Sequence, residues 1–210
     1  MEQTKSSIST LSGRFFDLLE PEKYEYDIYE IAEALSNICR YTGHVKKFYS
    51  VAEHSVLVSH IVPPRLALAG LLHDASEAFV GDVSSPLKKL LPEYKAIEER
   101  IQQAIADHYG IPFPFPHEVH EADKRMYWRE RIDVAPGPRD TLWHQDLAAT
   151  RKVQASGMKP LIAKRYFLAR FKEIQSGTKG DSVVSIQGTK EDTSRESHRK
   201  GLALTKIQAA

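Results

Sequence analysis

Residues 66–72, LALAGLL, are apolar on every side, and the run stops abruptly on His73-Asp74. A helix that is hydrophobic all round belongs at the centre of a bundle, because no face of it gains from meeting water. Ionisable groups at the end of such a helix are costly unless they are paired or bound to a metal. This one stretch therefore asks for several other helices around it and for partners to His73 and Asp74.

The rest of the chain supplies the helices. Ile28, Ile31, Leu35 and Ile38 repeat at three and four, with Asp27 placed as an N-cap and Glu30 as its N3 carboxylate. Ser50 and Glu53 form a second capping box, opening a helix that Pro63-Pro64 stops after Ile61. A continuous helix is expected through RLALAGLLHDASEAF, followed by a loop at Gly81 and Pro86. Tyr94, Ile97, Ile101 and Ile105 mark another, closed by Gly110 and Pro112. Val119, Ala122 and Met126 share one face of a helix over about 117–131, and 160–174 reads as the last. Strand patterning is confined to a short hairpin near 46–49. The fold class is all-α, a single-domain helical bundle over 13–175 behind an N-terminal arm, 1–12. Residues 176–210 follow the last aromatic, Phe171, and are rich in Ser, Thr, Gly and charge as far as Gly201. They read as a flexible C-terminal tail.

Charge narrows the function. Lys plus Arg number 29 against 28 Asp plus Glu, a net +1, which disfavours a protein built to coat polymeric nucleic acid or an acidic membrane. Cys39 is the only cysteine, so no internal disulfide or Cys-based zinc finger is available. Residues 66–72 are too few to span a bilayer, and no signal-peptide pattern opens the chain. A cytoplasmic location is expected.

Polar residues on apolar faces carry the chemistry. His54 lies on the face of Val51, Val58 and Ile61, and Asp123 lies beside Val119, Ala122 and Met126. Three helices thus aim an imidazole or a carboxylate inward, which is how bundles build metal sites. His54, His73, Asp74 and Asp123 make a nitrogen–oxygen set suited to Zn, Co or Mn. The alternative is three separate satisfied core groups. Glu77 falls three residues after Asp74 and four after His73, on the face of both, where a carboxylate can manage the proton of an activated water. Its alternative is a surface ion pair. Arg40, at the end of a helix, and Lys88, in a loop with Asp82, offer clamps for phosphoryl oxygens, or solvated charges. His117 and His120 read as exposed.

These residues resemble the signature of the HD-domain phosphohydrolases: a His, a His-Asp pair and a distant Asp on different helices of an all-α fold. The pattern maps onto His54, His73-Asp74 and Asp123. LLHDASEAFVGDVSSPLKK is similar to the matching stretch of bacterial 5'-deoxynucleotidases. ICRYTGHVKKFYSVAEHSVLVSHIV resembles a group that includes phage dATP triphosphohydrolases, and the likeness covers about 12–131. The resemblance implies a divalent metal on the four ligands, with Glu77 and Asp82 in the catalytic set. It also implies that Arg40 and Lys88 hold phosphate, and that Tyr41 borders or stacks on the base in a pocket shaped with Pro86. The deoxynucleotidases carry Trp where this chain has Tyr41.

The expected activity is attack at the α-phosphorus of a deoxynucleotide, with dATP hydrolysed to deoxyadenosine and tripolyphosphate. The alternative is release of phosphate from a deoxynucleoside monophosphate. A cyclic-nucleotide or alarmone phosphodiesterase lacks an obvious second His pair, and a non-catalytic nucleotide sensor would not need Glu77. The resemblance further implies a homo-oligomer acting on a small nucleotide in the cytoplasm, the host's if the chain is phage-encoded.

Overall fold

The computed structural model describes residues 3–135, 150 and 153–177. The expected tail beyond Gly177 lies outside the described residues. The architecture is the all-α bundle expected from the sequence, with one small hairpin added.

Helix α1 (Ile28–Asn37) opens on Asp27, whose carboxylate accepts from Tyr29 N–H. Helix α2 (Val51–Ile61) opens on Ser50, whose hydroxyl accepts from Glu53 N–H. Both N-caps are as expected, but neither glutamate completes its box. Glu30 binds Thr10, the Ser12 backbone, Arg14 and Tyr24 instead. Glu53 accepts from the Ser156, Gly157 and Met158 backbone and from the Ser156 hydroxyl at 2.7–3.1 Å. Each N3 carboxylate ties its helix to a distant segment, 12–14 or 156–158, and leaves the local cap to the residue at the N-cap.

The buried centre of the bundle is shared, and α2 occupies more of it than was expected. Every residue from 51 to 59 is buried, and α2 packs against α1, against α3 (Ala67–Leu72), and against α7 (His117–Asp133) and α8 (Pro160–Ser176). Gly70 of α3 makes the α2–α3 approach close. A Cβ there would meet Val62 Cγ2 at 2.9 Å and Ser59 Cα at 3.2 Å, so any side chain would push the helices apart.

Helix α3 does not run on through the expected stretch. It ends at Leu72, residues 73–76 form tight turns, and the short α4 (Glu77–Val80) follows. Helix α5 (Ser85–Lys88) leads to α6 (Pro92–Tyr109), which closes on left-handed Gly110. Arg40, expected to end a helix, instead starts a turn three residues after α1. Within that turn Tyr41 and Thr42 take positive φ of 58° and 54°. A backbone bridge between Cys39 and Ser50 closes the 39–50 loop, in place of the hairpin expected at 46–49.

Strands β1 (Ser7–Ser9) and β2 (Phe15–Asp17) pair antiparallel, so the expected N-terminal arm forms half of a hairpin. Its apolar tooth is Phe16, fully buried and stacked on Phe79 of α4 with ring centroids 4.0 Å apart. Burying such a ring contributes about 1.5–3 kcal/mol. It also braces the short helix on which Glu77 stands.

Candidate metal centre

His54 of α2, His73 and Asp74 after α3, and Asp123 of α7 converge at one point. His54 Nε2 lies 3.2 Å from His73 Nε2, 3.2 Å from Asp123 Oδ1 and 3.6 Å from Asp74 Oδ2. His73 Nε2 lies 3.3 Å from Asp74 Oδ2 and 3.8 Å from Asp123 Oδ1. The expected four residues are brought together from three parts of the chain.

The other nitrogen of each ring shows what this meeting requires. His73 Nδ1 donates to the Gly70 carbonyl at 2.9 Å, a group that can only accept. His54 Nδ1 donates to the buried carboxylate of Glu130. In their neutral forms both rings would turn lone pairs, not protons, towards the two aspartates. Such a group attracts positive charge. Burial lowers the pKa of His73, but Asp74 and Asp123 outweigh it and raise it well above the usual value. Burial and Arg40 oppose a charge on His54, and Glu130 and Asp123 still prevail. A divalent cation meets the same demand. Ligands at zinc-like bond lengths stand about 3.3–3.6 Å apart in a tetrahedron, close to the 3.2, 3.2 and 3.8 Å among His54, His73 and Asp123. His54, His73 and Asp123 can thus hold a metal ion, their ligand atoms all lying within 4.8 Å of one another.

Around this group lies a charged shell. Arg40 Nη1 donates to Asp74 Oδ2 at 3.3 Å, and its Nε lies 3.3 Å from Glu130. The hydroxyls of Tyr41 and Tyr49 both donate to Glu130. Glu130 thus gathers His54, Arg40 and two tyrosines. Burial raises its pKa, but Arg40 and His54 together bring it below the usual carboxylate range. Sequence reasoning missed this residue, although the signal was there: it sits four residues after Met126 and seven after Asp123, a charge on the apolar face of α7.

Glu77 is buried rather than a surface partner. Its Oε1 is 3.4 Å from Lys88 Nζ, while Oε2 has no hydrogen-bond partner among the described residues. Burial and the charges of Asp74 and Asp82 push its pKa well up, against Lys88 and Arg40. Half-buried Asp82 is raised by burial and, from among its neighbours, by Asp74. Lys88 is tied to Glu98 as well as Glu77, so its charge is already met within the protein. Tyr41 turns its hydroxyl inward to Glu130, with Arg40 Cζ 5.5 Å from its ring centroid. Pro86 is exposed in α5, and so are His44, His117 and His120 on the surface.

The chain is 40% identical over 171 residues to the uncharacterized protein YfdR of Escherichia coli (strain K12), covering 80% of this chain and 96% of YfdR. The chain belongs to the YfdR family. The uncharacterized protein RCAP_rcc00048 of Rhodobacter capsulatus is 36% identical over 124 residues, 54% of this chain and 63% of that one. The 5'-deoxynucleotidase YfbR of Salmonella typhi is 39% identical over 61 residues, 27% of this chain and 28% of its own length. No protein-family model matches the chain. Among the described residues no helix is long and apolar enough to cross a membrane.

Proposed function

We propose that this YfdR-family chain is a metal-dependent phosphohydrolase acting on a deoxynucleoside 5'-monophosphate. The observation that carries the reading is the meeting of two imidazole nitrogens and two carboxylates at one point, with His54 fully buried and His73, Asp74 and Asp123 half-buried. The partial likeness to 5'-deoxynucleotidases supports a nucleotide substrate.

His54, His73, Asp74 and Asp123 would hold a divalent transition ion such as Zn, Co or Mn. When bound, that ion supplies Lewis acidity beside the phosphorus. Arg40 holds Asp74 in place and adds positive charge near the phosphoryl oxygens. Glu77, with one free oxygen and a raised pKa, takes the proton of the attacking water. The water oxygen bonds to phosphorus, the bond from phosphorus to the 5'-oxygen breaks, the proton taken up by Glu77 passes to that oxygen, and nucleoside and phosphate leave. Asp82 and Tyr41 flank the substrate, with Pro86 at the outer rim.

Charge at the site favours the monophosphate over the dATP triphosphate first expected. Arg40 and Lys88 are each paired with two carboxylates. Two committed cations suit one phosphate better than three. The test is a matrix of Zn, Co and Mn against dAMP and dATP, with the phosphorus products identified by chromatography. Metal-dependent release of phosphate from dAMP is expected. Tripolyphosphate from dATP, with dAMP untouched, returns the triphosphate reading, and no turnover with any ion overturns the hydrolase.

A further inference from the structure

The turn that carries His73 and Asp74 is held open by a residue of another helix. In a continuous α-helix Ser76 N–H would bond to the Leu72 carbonyl four residues back. Here Gln102 of α6 takes both groups. Ser76 N–H donates to Gln102 Oε1 at 3.0 Å, and Gln102 Nε2 donates to the Leu72 carbonyl at 3.0 Å. The carboxamide is buried, so neither group has water to fall back on.

Around this insertion the backbone tightens to three-residue bonds. Ala75 N–H donates to Leu72 at 3.1 Å, Glu77 to Asp74 at 3.1 Å and Ala78 to Ala75 at 3.2 Å. At three residues per turn, side chains three apart eclipse one another. Asp74 and Glu77 therefore share a face, where an α-helix would set them about 60° apart. His73, four residues before Glu77, is turned off that face. The expected alignment of Glu77 with both residues is replaced by alignment with Asp74.

We propose that Gln102 is a positioning residue for the centre: by replacing the Ser76–Leu72 bond it holds the turn that aims His73 and Asp74 at His54 and stacks Asp74 with Glu77. Its loss lets Ser76 bond to Leu72 again and rewinds the turn. The proposal rests on the metal-centre reading above.

The experiment is titration of the metal-stripped full chain with Co2+, followed by calorimetry and visible absorption. Gln102→Met keeps the length and removes both hydrogen bonds. Gln102→Glu keeps the acceptor for Ser76 and loses the donor to Leu72. Gln103→Met is the control, since that amide bonds to Asp107 on its own helix. We expect one Co2+ per chain in wild type and control, affinity ten- to a hundredfold weaker in Gln102→Met with a changed absorption band, and a smaller loss in Gln102→Glu. If both Gln102 variants melt earlier yet bind Co2+ within twofold of wild type, Gln102 is merely structural and the proposal fails. Absence of Co2+ binding by wild type overturns the metal centre itself, and the proposal with it. Should Gln102→Met not fold, Gln102→Glu decides between the first two outcomes.

Discussion

Glu130 and His54 form a fully buried carboxylate–imidazole pair, and Asp123, two turns earlier on the same helix, meets the opposite nitrogen of that ring. Seven residues of α-helix rise about 10.5 Å, enough to place one carboxylate on each side of an imidazole. Glu130 sets the tautomer, and Asp123 faces the opposite ring nitrogen across 3.2 Å, where a proton or a cation can join the two. Partners of this kind orient a ligand and raise its basicity. Glu130→Gln should therefore bind Co2+ about ten- to a hundredfold more weakly than wild type, measured by calorimetry. Glu130→Ala should also lose about 3–5 kcal/mol in urea unfolding, because Arg40 is left buried without its main counter-charge.

The four converging acceptor atoms make stability depend on the ion. Without a cation, His54 and His73 must take up protons against burial to relieve the two aspartates. Co2+ at a hundred times its Kd should stabilise the stripped chain by about 2.7 kcal/mol. For a chain of this size that raises Tm by roughly 5–10 °C. Asp123→Ala should abolish the rise, and thermal melts with and without chelator read it directly.

Glu77 separates chemistry from binding. Its carboxyl has no hydrogen bond to the ligand residues, and its free Oε2 is the atom assigned to the proton. Glu77→Gln keeps the shape and cannot accept that proton. Turnover of dAMP should fall by about 10²- to 10⁴-fold. Co2+ affinity should stay within a few-fold of wild type. A parallel loss of metal would instead make Glu77 part of the centre.

The sequence showed where helices begin more surely than what their charged residues do. Asp27, Ser50, Gly110 and the Pro63-Pro64 stop act locally, through their own turn of backbone, and their positions were legible. Glu30 and Glu53 have the spacing of a capping box, yet their partners lie at 10–24 and 156–158, and no local pattern encodes such distances. The four candidate ligands were legible because each is polar on an apolar face. Glu130 was equally out of place on its face and could have been found by the same argument. The break at His73 could not. Its cause, Gln102, sits on another helix, 26 residues after Ser76, and the stretch alone reads as unbroken helix. The Ser7–Ser9 strand is only three residues long, too short for an alternating pattern to stand out.

Glu30 gives the fold a defined response to acid. Burial raises its pKa, but hydrogen bonds from Ser12, Tyr24 and Thr10 outweigh this and bring it from the usual 4.5 down to about 2. A carboxylate depressed in the folded state binds protons more weakly there than in the unfolded chain. Its contribution is therefore fully present above pH 4.5 and is lost as the pH falls through about 2. Glu30→Gln removes the charge that holds Arg14, Tyr24 and the 10–14 turn against α1. At pH 7 the variant should be about 1–3 kcal/mol less stable than wild type in urea unfolding. The gap should narrow steadily between pH 4.5 and 2, since protonated Glu30 and Gln then offer similar hydrogen bonding. A gap that stays constant across that window would assign the loss to packing of the amide rather than to the charge of Glu30.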